Sequence, residues 1–460
     1  MSTMSDKPVL VIDVGTTSSS AVVVSGDSAT LVPEPGTGLR GWPSAVYWDG
    51  EQMLVGSPAE QRKRSDPTSY GTEFKRGLAA DTPNVLGRRR FRPIEQVAAV
   101  LVALRTEAER RYGGRIDRAV ITVPATYAPT PLGPTAAGPT DTRRAQMIAA
   151  GEAAGFETVE LLPEPVAAAF APVSGPPLTS GDLVLVYDLG GGTFDTALVR
   201  IDERRHEVLG HAAIDDGGSD IDALLAAQIH SDGQQWLAPL LRAAAATPSA
   251  PATLRLGMAV TEFAQRIKHR LSDAPTVEDY LMPDAPAYRL SRTELASLAT
   301  PLLTRTVECC GGLLDTLNIP AHQIDSVLLV GGGARMPAVT DTVRRVFGRP
   351  IRTVDDPELA TVFGAARWLT HSGPRTVPAW SSPERTAPLS FGIPGGSTRL
   401  LRWLVRPGEV YSAGTRLART RLPGGAIWDL TAATPGTLER LLVEPGTDVT
   451  SQDWLALARQ

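Results

Sequence analysis

Two stretches of this sequence join an apolar run to a turn rich in glycine, threonine and aspartate. The first is Val9-Leu10-Val11-Ile12-Asp13-Val14-Gly15-Thr16-Thr17-Ser18-Ser19, and the second is Leu185-Val186-Tyr187-Asp188-Leu189-Gly190-Gly191-Gly192-Thr193-Phe194-Asp195. Glycines allow backbone amides to come close to phosphate oxygens, and hydroxyls such as those of Thr16, Thr17 and Thr193 add donors. A carboxylate at the strand end, Asp13 in one copy and Asp188 in the other, can hold the waters of Mg2+, which prefers oxygen ligands and keeps several waters. A single Gly-rich turn is often only a tight turn. Its occurrence twice, after a buried strand and with Asp in the same place, predicts two related half-domains gripping one nucleotide.

The elements around these turns must bring them together. Val9–Ile12, Ala119–Val123, Leu183–Tyr187 and Val327–Val330 are near-continuous apolar runs, as expected of strands buried on both faces. Helical patterns lie between them: Pro93–Tyr112, Asp141–Ala154 with a capping-type Asp and a following Gly155, Leu254–Leu271, and a capping-box sequence from Ser291 to Glu294. Alternating strands and helices predict an α/β architecture. Residues Ala128–Thr140, rich in Pro, Gly and Thr, read as a loop. The Pro-rich stretch from His371 to Pro388 reads as an interdomain linker. Beyond it come short strand-like pieces punctuated by Pro-Gly, which predict a second, all-β domain over 389–460.

Composition narrows the function. The 460 residues carry a net charge of −5, which argues against a nucleic-acid-binding surface as the main function. Lysine is scarce: Lys7, Lys63, Lys75 and Lys268 are the only four. The adjacent Cys309 and Cys310 fit core filling in a reducing compartment better than a disulfide or metal site. No signal-peptide pattern and no apolar run of about 18 residues is seen, so a cytoplasmic address and no membrane span are expected.

Further motifs, in order, resemble the heat shock protein 70 family. They are Val123-Pro124-Ala125, Arg143-Arg144-Ala145, Ala154-Gly155-Phe156, and Pro163-Glu164-Pro165-Val166-Ala167-Ala168-Ala169. They continue with Asp215-Asp216-Gly217-Gly218-Ser219-Asp220-Ile221-Asp222, Lys268-His269-Arg270-Leu271-Ser272, Leu329-Val330-Gly331-Gly332-Gly333-Ala334-Arg335-Met336-Pro337, and Pro357 through Gly364-Ala365-Ala366. The resemblance spans residues 7 to about 370 and implies a two-lobed actin-like ATPase fold, with ribonuclease-H-like halves, that binds ATP or ADP with Mg2+. By the same resemblance Asp13 and Asp188 would organise Mg2+, while Gly15, Thr16, Thr17, Gly190, Gly191, Gly192 and Thr193 would cradle phosphates. Glu164 and Asp195 would position or activate water. Gly331, Gly332, Gly333, Arg335, Lys268, Gln265, His269 and Ser272 would hold the adenosine, with Gln265 where the family has Glu and His269 where it has Arg.

One departure bears on chemistry. Val55-Gly56-Ser57-Pro58-Ala59-Glu60-Gln61-Arg62 is matched to the segment taken to carry the family's catalytic lysine, which puts Glu60 at the lysine position, with Phe74-Lys75-Arg76 supporting the register downstream. A cation–phosphate attraction of on the order of 4 kcal/mol would reverse its sign there. Slow or absent hydrolysis with retained ATP binding is the expectation.

After the linker the family pattern fails, because too few residues remain for a peptide-binding sandwich and its helical lid. Leu404-Val405-Arg406-Pro407-Gly408 recurs as Leu442-Val443-Glu444-Pro445-Gly446, and Leu417-Ala418 as Leu455-Ala456. This internal repeat resembles a biotinyl/lipoyl-type barrel-sandwich domain; a truncated chaperone sandwich is the alternative. The tip between the halves, Leu422-Pro423-Gly424-Gly425, has no lysine for cofactor attachment. The leading expectation is an ATP-binding, chaperone-like protein whose β-domain contacts a protein partner. The alternatives are an active ATPase or small-molecule kinase, and a nucleotide-locked scaffold.

Overall fold

The computed structural model describes residues 7–78, 82–127, 142–174, 178–202, 206–235, 237, 250–283, 285–370, 380–381, 386–389, 391–394, 396–451 and 453–459. The Ala128–Thr140 loop and most of the 371–388 linker lie outside them. In the first lobe, β1 (Val9–Val14), β2 (Ser18–Ser25), β3 (Ser28–Leu31), β4 (Arg118–Val123) and β5 (Thr158–Pro163) form a sheet in the order β5-β4-β1-β2-β3. In the second lobe, β6 (Leu183–Leu189), β7 (Phe194–Arg200), β8 (Glu207–Ile214), β9 (Ser326–Val330) and β10 (Ile351–Arg352) repeat it as β10-β9-β6-β7-β8. In both, the first strand runs parallel to the fourth and antiparallel to the second. The two sheets are therefore duplicates, and Asp13 and Asp188 occupy equivalent strand ends.

The first lobe adds α1 (Ser57–Arg62), α2 (Phe74–Gly77), α3 (Pro93–Tyr112), α4 (Thr142–Ala153) and α5 (Glu164–Ala169). The second carries α6 (Gly218–Asp232), α7 (Ala250–Asp273), α8 (Arg292–Thr316) and α9 (Pro337–Phe347), and α10 (Ala360–Thr370) crosses back. The Ser291–Glu294 capping box is formed: the Glu294 amide donates to Ser291 Oγ and the Ser291 amide to Glu294 Oε2. Cys310 is buried in the second lobe's core and Cys309 packs against it; both are free thiols. The short α5 packs against α10 between the sheets, and their contact is so close that a Cβ on Gly364 would overlap the Ala167 carbonyl.

The C-terminal strands are β11 (Thr386–Leu389), β12 (Ser397–Trp403), β13 (Val410–Tyr411), β14 (Arg416–Arg421), β15 (Ile427–Thr431), β16 (Gly436–Leu441), β17 (Asp448–Thr450) and β18 (Ala456–Arg459). They form two antiparallel sheets, β11-β18-β16-β13 and β15-β14-β12-β17. The 38-residue repeat maps β12, β13 and β14 onto β16, β17 and β18, and each half's short strand, β13 or β17, pairs with the opposite half. Even the bulges correspond, between Leu400 and Arg402 and between Leu438 and Arg440.

This domain docks on the first lobe. Leu442 and Leu457 join that lobe's core, and β11 lies along α4. Arg89, stacked 4.9 Å from the rings of Trp48 and Phe91, pairs with Asp453 at 2.9 Å. Glu95 sits at the same seam and accepts from the Arg92 amide at 2.7 Å, capping the N-terminus of α3. Burial pushes its pKa up to about 7; the Arg92 amide opposes the rise and Asp453 adds to it. The folded form thus holds the proton more tightly than the unfolded form. Stability from this group is full below about pH 4.5 and lost as pH rises through 7. Glu95→Gln keeps the cap and removes the loss. The variant is expected to melt at least about 2 °C above wild type at pH 8 and to match it more closely at pH 5, on the basis of on the order of 1 kcal/mol.

Candidate functional site

Between the lobes lies a cleft of about 690 Å³. The β1–β2 turn reaches it from one side with Gly15, Thr16 and Thr17, and the β6–β7 turn from the other with Gly190, Gly191, Gly192 and Thr193. The turns meet tightly. A Cβ on Gly191 would stand 3.0 Å from Thr17 Cβ, and one on Gly192 would stand 2.7 Å from Thr16 Cβ. Such distances leave no room for any side chain, so glycine is required for the lobes to close.

The floor of the cleft is acidic. Asp13, at the end of β1, accepts from Thr122 Oγ1 at 2.6 Å, and Thr361 Oγ1 lies 3.4 Å from Asp188. Glu164 opens α5, where the helix N-terminus favours a carboxylate. Burial raises the Asp13 carboxyl to about 6, with Glu164 adding to the rise and Lys75 opposing it. Burial, then Glu164, raises Asp188 well above the usual range. Asp195, buried behind the cleft lining, is likewise raised to about 8 and accepts from the Ala125 amide at 2.6 Å.

A single ammonium faces this group. Lys75 lines the cleft, is only 4% exposed, and donates to Glu164 Oε1 at 2.6 Å. Burial alone would lower its pKa, but Glu164, Asp13 and Tyr127 together raise it, so it stays charged. Glu73 directly before α2 takes φ 55°, an unusual left-handed value for a side-chain-bearing residue, and buried Phe74 anchors the turn that aims Lys75 inward. Four carboxylates beside one ammonium leave the site short of positive charge, which suits a cation. Among the described residues no set of three His, Cys, Asp or Glu converges on one point. A hydrated Mg2+ needs only one or two carboxylates, and the paired strand-end aspartates fit that demand.

The far end of the cleft is built from the second lobe. Gln265, Lys268, His269 and Ser272 on α7 face Gly331, Gly332, Gly333 and Arg335 after β9. Lys268 Nζ bonds Asp222 and the Gly218 carbonyl, tying α7 to α6. Burial, then Lys268, lowers the pKa of His269, leaving a neutral ring that can stack. Arg335 forms a two-pronged pair with Glu358 on the rim.

The family model described as Hsp70 protein matches residues 79–371, well over half of the chain. The chain belongs to the Hsp70 protein family. It is similar to a chaperone protein DnaK of Mycoplasmopsis synoviae (strain 53), 30% identical over 373 residues, which cover 79% of this chain and 58% of that protein. The match thus spans less than two thirds of that relative's length.

For a member of this family the decisive finding concerns Glu60. It does not line the cleft: on α1 it bonds Lys63 and the Tyr70 hydroxyl. The lysine at the phosphate-turn end of the cleft is Lys75, so the charge reversal expected from Glu60 has no place among the phosphate-loop residues. The Phe74-Lys75-Arg76 segment already contained the signal, since it supplies one of only four lysines. Ser219, Asp222, Met336, Glu358 and Thr361 also line the cleft; they lie inside the motifs that carry the resemblance without a role being assigned to them, and Asp273 follows directly on Ser272.

Glu60's neighbourhood bridges the lobes. Lys63 and Arg64 pair with Glu262 of α7 at 2.8 and 2.6 Å, and Arg255 donates to the Arg64 and Ser65 carbonyls. These contacts close the outer end of the cleft. Glu262→Ala removes two partly exposed pairs and is expected to speed nucleotide release about fivefold. Stopped-flow release of a fluorescent ATP analogue measures this, and an unchanged rate would show that the contacts do not gate the cleft.

Proposed function

We propose that this chain binds ATP and ADP with Mg2+ in the interlobe cleft, hydrolyses ATP there, and acts as a chaperone-like protein whose β-domain binds a protein partner. The observation that carries the reading is the charged Lys75 held among Asp13, Glu164, Asp188 and Asp195 directly behind two interlocked phosphate turns. Asp13 and Asp188 would hold Mg2+ through its waters, and the ion would supply positive charge against the phosphates. Lys75 is placed to donate to a terminal phosphate oxygen. Glu164, bonded to Lys75, and Asp195 behind it are the carboxylates that can orient an attacking water. Because Lys75 fills this place, the reason for expecting slow turnover falls away.

The β-domain's docking on the first lobe supports a nucleotide-dependent output, since lobe closure moves the surface on which it rests. The repeat-related exchange of β13 and β17 supports a barrel-sandwich domain of biotinyl/lipoyl type over 389–460. Among the described residues no helix is long and apolar enough to cross a membrane. ATP-binding calorimetry combined with steady-state hydrolysis and limited proteolysis tests the reading. Magnesium-dependent binding and turnover, with different cleavage patterns in ADP and ATP, are expected; identical patterns in apo, ADP and ATP forms would remove the nucleotide-controlled output.

A further inference from the structure

The two sheets of the β-domain are equivalent in backbone, yet their outer faces differ. The β11-β18-β16-β13 face rests on the first lobe through Leu457, with Trp454 packed beside it. The repeat places Arg419 and Arg416 at those two positions on the other sheet. There, Arg399 on β12 stands directly opposite Arg421 on β14, and Arg402 directly opposite Arg419. Arg399, Arg402 and Arg421 are exposed, and none of the three forms an ion pair among the described residues. Like charges directly opposite on adjacent strands destabilise a sheet.

Two acids share the face. Asp429 pairs with Arg419 at 2.8 Å, and Asp448 stands opposite Arg399 on the other side. Five arginines, counting Arg416, against two aspartates leave three positive charges in excess, on a chain whose total is −5. One edge of the sheet is β15, where Ile427, opposite Arg421 on the arginine face, is 50% exposed and Trp428, opposite Thr420 on the reverse side, is 42% exposed. An exposed edge strand with large apolar side chains and no lysine or proline within it is open to pairing with another strand.

We propose that this face, resting on the reading that the β-domain binds a protein partner, is a docking surface for an acidic, extended peptide segment of that partner. The segment would add to the β15 edge, with alternate apolar side chains beside Trp428 on one face and its carboxylates on the other, reaching past Ile427 and Thr431 to Arg421 and Arg416 on β14. Charge complementarity specifies an anion, and the apolar open edge favours a peptide strand over a nucleic acid.

The test uses the full chain and a fluorescein-labelled ten-residue peptide alternating Glu and Val, with a Lys-Val peptide and a ten-nucleotide oligothymidylate as comparisons, followed by fluorescence anisotropy. The Glu-Val peptide is expected to bind, and Arg416→Glu/Arg421→Glu to weaken it at least tenfold. Arg421→Thr, which relieves the Arg–Arg opposition, should weaken binding without lowering the melting temperature and so controls for misfolding. No binding of the Glu-Val peptide, equal binding by the charge-reversed variant, or tighter binding of the oligonucleotide overturns the proposal. Repeating the titration in ADP and ATP separates the two readings: intact binding with one affinity in both states sinks nucleotide control and leaves the docking face standing.

Discussion

Lys75→Met is expected to lower ATP turnover by about a hundredfold to a thousandfold while ATP affinity stays within about tenfold, because a single preorganised donor to developing charge contributes on that scale. Lys75 is the one cation in a buried group of four carboxylates, and its ammonium is already held by Glu164. Removing it also strands Glu164. Breaking one side of a buried pair costs about 3–5 kcal/mol, so a loss of activity could reflect lost folding. The double variant Lys75→Met/Glu164→Gln carries neither charge and should recover most of the melting temperature without recovering turnover. Full activity in Lys75→Met would make the lysine a structural counter-ion only and reopen the search for the group that meets the terminal phosphate.

Gly192→Ala is expected to weaken ATP binding by at least about a hundredfold with little change in the stability of either lobe. The added methyl would lie 2.7 Å from Thr16 Cβ, across the interface between the two phosphate turns. Both neighbours are held by strand ends, since Thr16 follows β1 and Gly192 precedes β7, so the methyl acts as a wedge. Relief requires the lobes to part by something near an ångström, and a phosphate contact lengthened that far loses most of its hydrogen bond. Calorimetric titration with ATP measures the effect. The paired substitution Thr16→Gly/Gly192→Ala removes the Oγ1, Cγ2 and Cβ contacts together and should restore part of the affinity; tight binding by the single variant would mean that the turns do not close on the nucleotide as a unit.

Much of this molecule could be read from the chain itself. A strand, a glycine turn and an acidic strand end are consecutive residues, and their chemistry depends on backbone freedom and side-chain type over about ten positions. The duplication of that unit pointed to two lobes for the same reason. The 38-residue repeat is equally local, and it carries through to matched bulges and matched strand order in the β-domain.

Tertiary structure decided what distance along the chain concealed. Glu60 and Lys75 are both charged residues at the start of short helices, and sequence offers no measure of which one points between the lobes. The answer lies in Phe74 burying itself and Glu73 taking a left-handed turn, which send Lys75 to Glu164, 89 residues away in the chain. The partners of Glu60, and the bridge from Lys63 to Glu262, likewise exist only because α1 and α7 meet across the cleft. In the β-domain the repeat specifies two similar sheets, but only packing shows that Leu457 is covered by the first lobe while its counterpart Arg419 faces water. Local backbone preferences act between neighbours in sequence; electrostatic selection and burial act between neighbours in space, and those were set by folding.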